Sequence, residues 1–104
     1  MNYIDFTAGG KEYKLRLNTR NLIALEKQIG MSPLAIFDGE TLPTITTMVA
    51  ILWASLQQLN HGIGMNEAYD IFDAYLEEHD AMEFYMTIID IYKVSGLMKD
   101  NSKN

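Results

Sequence analysis

The sequence contains no cysteine. That removes disulfide frameworks and thiolate metal sites and agrees with a reducing compartment. Only two histidines are present, so imidazole chemistry has little to build on. No lysine or arginine occurs between Lys27 and Lys93, whereas Asp38, Glu40, Glu67, Asp70, Asp73, Glu77, Glu78, Asp80, Glu83 and Asp90 all fall there. The net charge is -6, from 8 basic and 14 acidic residues. A nucleic-acid partner calls for a basic face, so this balance argues against one. The first residues lack a basic region followed by an apolar run, so no secretory signal is expected and the chain is expected to stay in the cytoplasm.

Charge of either sign is absent from residues 41–66. A membrane span needs about 20 mostly apolar residues. The uninterrupted apolar run covers only residues 48–54, so the stretch reads as the buried central helix of a small domain. Ile45, Met48, Val49, Leu52, Trp53, Leu56 and Leu59 recur at the spacing of one helical face. Pro43 suits the first helical position, and Trp53 is expected deep in the core.

With 104 residues, the chain is long enough for one hydrophobic core without metal or disulfides. The expected organisation is a single domain over residues 1–98, with a hairpin at 2–17, a helical part at 19–96 and a polar tail at 99–104. Residues 3–7 and 11–17 alternate apolar and polar around Gly9-Gly10, a two-residue hairpin turn. Pairing Ala8 with Lys11 sets Phe6 opposite Tyr13 and Ile4 opposite Leu15. Because an isolated hairpin is marginal in water, its apolar face must lie on helices. Lys14 and Arg16 read as edge-strand protection.

Asn18 or Thr19 can cap a helix with Leu22, Leu25 and Ile29 on one face and Ile23 flanking them. Gly30 then ends it in the left-handed conformation, and Met31 can fold back on Leu25. Ser32-Pro33 opens a short helical turn through Phe37. After the central helix, Asn60 to Gly64 reads as a turn. Asn66 is then expected to cap a helix with Ala68, Tyr69, Phe72, Tyr75 and Leu76 inward. Asp80 and Glu83 form a capping-box pair that opens the last helix, which ends at Gly96 with Leu97 packing back on Tyr92. The fold class is therefore α+β and mostly helical, an N-terminal two-stranded β-hairpin packed on a small bundle of about four main helices.

Catalytic signatures are thin. His61 and His79 sit on different connections without the spacing of a metal pair. His79 stands among Glu77, Glu78, Asp80 and Glu83, a setting that usually serves capping and solvation. No serine lies in a nucleophile motif, and the glycines at 62 and 64 lack the spacing of a phosphate loop. No catalytic residue, cofactor or metal is expected. The last helix is more informative. From Ala81 to Tyr92 only Glu83, Thr87 and Asp90 are polar, and they form one narrow stripe. Phe84, Tyr85, Ile88, Ile91 and Tyr92 can serve a core, which leaves Met82, Met86 and Ile89 as a second apolar row and the candidate partner-binding residues. The charge split also lets the basic beginning of one copy meet the acidic half of another, which admits a homo-oligomer.

Residues 13–37, YKLRLNTRNLIALEKQIGMSPLAIF, carry a resemblance. A hairpin ending in LRLNTR leads into a helix with the pair Leu25-Glu26, then Gly30 and a short second helix. The uncharged helix and the stretch EAYDIFDAYLEE from Glu67 to Glu78 follow in order. In this order the chain resembles the tail assembly chaperones of long-tailed, siphovirus-type bacteriophages and prophages. The resemblance implies a non-enzymatic protein that binds the tape measure protein and helps tail tube subunits assemble around it. In such a family this chain would be the short form, a frameshifted longer form being common there. Adaptable methionines and high net charge suit that task. Two other readings stand beside it: a structural component of the virion tail, such as a tail completion or tube-associated protein, and a small metal-binding protein or enzyme centred on His79.

Overall fold

The computed structural model describes residues 2–39 and 41–99. An N-terminal hairpin of β1 (Ile4–Ala8) and β2 (Lys11–Leu15) is followed by α1 (Thr19–Ile29), a 3-10 turn (Pro33–Phe37), α2 (Ile45–Leu56), α3 (Met65–Leu76) and α4 (Ala81–Val94). This is the α+β arrangement of a hairpin on four helices.

Two glycines at positive φ, Gly9 at 59° and Gly10 at 76°, make the turn that joins the strands. Such dihedrals match the twist of the strands and are costly for residues with a Cβ. The register pairs Ile4 with Leu15, Asp5 with Lys14, Phe6 with Tyr13 and Ala8 with Lys11, as the alternation predicts. Phe6, Ala8, Leu15 and Leu17 are buried, so one face of the hairpin lies on the helices. Phe6 stacks on Tyr75 at 5.0 Å between ring centroids and meets Phe84 edge-on at 6.1 Å. Arg16 differs from its expected role at an edge. Its guanidinium donates to the carbonyls of Asn2 and Val94, each at 2.8 Å, and so ties the hairpin to the end of α4. The Leu17 N–H donates to Ser95 Oγ at 2.9 Å beside it.

The uncharged helix α2 is enclosed on nearly every side. Residues 48–52 and 54–56 are buried, and α2 packs against α1, α3, α4 and β2. Ala50, Ala54 and Ser55 keep its surface low enough for neighbours to approach. Three details differ from the sequence reading. Thr44 takes the N-cap by accepting from the Thr47 N–H at 3.1 Å, which leaves Pro43 outside the helix. Ile45, at the exposed first turn, is 55% accessible. Trp53 is half-buried against the core and not enclosed within it. The indole N–H has no protein acceptor among the described residues, so it needs contact with water. Leu59 falls beyond the helix end and is partly exposed.

Asn18 caps α1, accepting from the Asn21 N–H at 2.8 Å, and Gly30 closes that helix at φ 72°. Met31 is exposed and does not seal the Gly30 end as expected. In α3 the cap is Gly64, not Asn66. The Glu67 carboxylate accepts from the Gly64 N–H at 2.9 Å, and a Cβ at position 64 would lie 2.9 Å from that same oxygen. The buried stripe of α3 is Ala68, Ile71, Phe72 and Tyr75, whereas Tyr69 and Leu76 are exposed. Apolar residues flank this stripe on both sides, so periodicity alone allowed a rotation that packing against α2 and β1 decided. Asp80 and Glu83 form the expected capping box, with bonds of 2.9 and 2.8 Å. At the far end of α4, Gly96 and Leu97 donate to Lys93 and Tyr92 carbonyls at 3.1 and 2.9 Å, the Schellman pattern. The polar tail beyond Lys99 lies outside the described residues.

Tyr92 is fully buried and donates to the Pro33 carbonyl at 2.8 Å, pinning the 3-10 turn to α4. Burial pushes its phenol well above the usual tyrosine value of 10.0, and desolvation raises Tyr75 as well. Both groups stay protonated in the folded chain where the unfolded chain already ionises. Their contribution is therefore complete below pH 10 and is lost as pH rises above it, at about 1.4 kcal/mol per pH unit for each fully shifted phenol. Urea midpoints from pH 7 to 11 should show this fall. Tyr92→Phe should start about 1–3 kcal/mol lower at pH 7, because the Pro33 carbonyl loses its donor, and should decline less steeply above pH 10.

Candidate partner-binding surface

Helix α4 divides sharply around its circumference. Phe84, Ile88, Ile91 and Tyr92 are 0% exposed, the i, i+4, i+7, i+8 stripe that faces a core. Phe84 lies edge-on to Phe72 and Tyr75 at 5.1 and 5.6 Å. Half a turn round from that stripe, Met82 and Met86 are each 55% exposed. Ile89, the third member of the row, is half-buried. It sits nearer the side of Tyr85, whose ring packs edge-on to Phe37 at 6.0 Å. The three side chains occupy positions i, i+4 and i+7 and so form one row. Its outer part is the two methionines, with Ile89 as its inner margin.

The polar stripe of α4 lies on the other flank. Thr87 Oγ1 donates to the Glu83 carbonyl at 3.2 Å, and Asp90 is exposed. His79 precedes this stripe. Its ring stacks on Tyr75 at 4.5 Å, and Nδ1 lies 3.4 Å from Glu83 Oε2. This places the imidazole as a lid over a core tyrosine beside a capping carboxylate. Among the described residues no group of three His, Asp or Glu side chains is placed to hold a metal ion. His61 sits apart, exposed in the turn after α2.

Two shallower apolar surfaces were not singled out by sequence reasoning. A groove of about 310 Å³ between α1, α2 and α3 is lined by Ile45, Val49, Met65, Tyr69 and Phe72, with Gln28 and Asp73 at its polar margin. A second depression, of about 210 Å³, lies where α1 meets the 3-10 turn and is lined by Leu22, Ile23, Leu34 and Leu97. Exposed Ile45 and Tyr69 were the available signal for the first, and the wide apolar arc of α3 concealed it. No described helix is long and apolar enough to cross a membrane.

A family model described as a family of unknown function, DUF6096, matches residues 5–104. The chain belongs to DUF6096. No curated protein and no solved structure matches it.

The division of α4 predicts opposite outcomes for two substitutions on one helix. Met86→Glu should leave the helical circular dichroism intact and cost no more than about 1 kcal/mol, mostly repulsion from Glu83 and Asp90. Ile88→Glu should abolish cooperative unfolding, because it places an unpaired charge in the core.

Proposed function

We propose that this DUF6096 chain is a non-enzymatic tail assembly chaperone of a long-tailed bacteriophage or prophage. It acts in the host cytoplasm, where it binds the tape measure protein and assists assembly of tail tube subunits around it. The observation that carries this reading is the exposed pair Met82 and Met86 on the helix whose other side forms the core. Two methionines one turn apart give a narrow, deformable apolar strip. Such a strip accepts many different apolar side chains, because methionine is unbranched and its sulfur is polarizable. A long helical client offers many such side chains in varied contexts.

Charge supports the same reading. An apolar strip on a neutral protein invites self-association, but a net charge of -6 keeps a small protein and its complexes apart in solution. Glu83 and Asp90 border the strip and suit a client helix whose apolar residues are flanked by lysine or arginine. The resemblance of residues 13–37 to the chaperone family is independent of α4. Those residues build the hairpin exit, α1 and the 3-10 turn.

The test is co-expression with a tape measure protein from the same genome. The unaltered chain should keep that protein soluble and co-purify with it. Met82→Ser combined with Met86→Glu should lose co-purification while keeping its circular dichroism and thermal unfolding. Solubility and co-purification unaffected by the double substitution would remove α4 as the working surface. A chain recovered in stoichiometric amounts from purified virions would replace the chaperone reading with that of a tail component.

A further inference from the structure

The two edges of the hairpin are not alike. Lys14 donates its N–H to Asn60 Oδ1 at 3.1 Å, and Asn60 Nδ2 donates back to the Lys14 carbonyl at 2.6 Å. The Arg16 N–H donates to the Ser55 carbonyl at 3.0 Å. The outward backbone groups of Lys14 and the outward N–H of Arg16 are thus occupied by the turn after α2 and by the end of α2, which leaves Glu12 as the one open position of β2. Because Lys14 directs its backbone groups outward, its partner Asp5 does the same on β1, and so does Thr7 two residues on. The outward N–H groups of Asp5 and Thr7 have no partner among the described residues, and both residues are exposed. β1 is also without proline, lysine or bulge, and Asp5 is its one charged residue.

We propose that β1 pairs antiparallel with β1 of a second copy, joining two hairpins into a four-stranded sheet about a two-fold axis. The sequence of β1 selects both the occupant and the register. With Phe6 opposite its own copy, all five residues of the strand are paired, and Asp5 faces Thr7 of the second copy. The outward groups of Asp5 and Thr7 then form the hydrogen-bonded pairs, giving four backbone bonds across the axis. A shift that centres the pair on Asp5 sets two carboxylates opposite each other, and a shift toward the turn shortens the overlap. Since Asn60 and Ser55 take Lys14 and Arg16, the single open residue Glu12 on the other edge is too short to seed a further ladder, so the assembly stops at two chains and does not extend into a fibre.

Five paired residues span about 17 Å, well short of a standard interface, so the dimer is weak and forms at high concentration. This inference is independent of α4 and of the chaperone reading. It is tested by amide exchange of the unaltered chain, followed residue by residue by NMR, together with sedimentation equilibrium. Between about 10 µM and 1 mM the chain should pass from monomer to dimer, and exchange at Asp5 and Thr7 should slow by about tenfold or more as those N–H groups enter a ladder. Thr7→Pro removes one outward N–H and no bond within the hairpin, so it should stay folded and monomeric. A monomer throughout that range would overturn the proposal. So would a dimer in which the Asp5 and Thr7 amides exchange as fast as in the monomer.

Discussion

A helix without a single charged side chain has to be covered by its own chain, and α2 imposes that demand on everything around it. It lies against α1, α3, α4 and β2. Its central residues are closed off as a result, Ile51, Leu52, Ala54, Ser55 and Leu56 all being 0% exposed. Ser55 is tied once within α2 and once to the end of the hairpin. Its hydroxyl donates to the Leu52 carbonyl at 3.0 Å, and its own carbonyl accepts from Arg16. The hydroxyl and the carbonyl of buried Ser55 thus both find a partner, the condition under which burial is tolerated.

Enclosing α2 also decides which surfaces remain. The hairpin covers the ends of α2 and α4 and is fastened there by Asn60, Ser55, Ser95 and the Val94 carbonyl. With β1, α2 and α3 spent on the core, the far side of α4 has nothing left to pack against. Two methionines there stay in water on a helix that also supplies the most deeply buried aromatic residues. In a domain of this size a helix apolar on almost all sides cannot be fully enclosed. The leftover row follows from the arithmetic of one small core.

Much of this was legible in the residues. Period-two alternation around Gly9-Gly10 gave the hairpin and its register, and Asp80 with Glu83 gave the start of α4, because turns and caps are local chemistry. The split of α4 into core face and spare row followed from the narrow polar stripe of Glu83, Thr87 and Asp90. The rest depended on tertiary choices. The rotation of α3 could not be read, because Tyr69 and Leu76 on one side compete with Ile71 on the other. Trp53 was misjudged for a related reason, since a hydrophobic position on a central helix does not guarantee space for an indole. The bond from Arg16 to the Val94 carbonyl links residues 78 apart and leaves no mark in either segment. Met82 and Met86 were legible from periodicity alone.

The proposed chaperone role requires the Met82 and Met86 strip, exposed in the free chain, to be covered when a tape measure protein binds. Oxidation by dilute peroxide, read peptide by peptide by mass spectrometry, measures this directly, since sulfoxide formation follows exposure of the thioether. Met48, 1% exposed, supplies an internal standard for a buried sulfur. Met82 and Met86 should oxidise much faster than Met48 in the free chain and slow toward the Met48 rate when the tape measure protein is bound. Met82 and Met86 oxidising equally fast with and without that bound partner would contradict it.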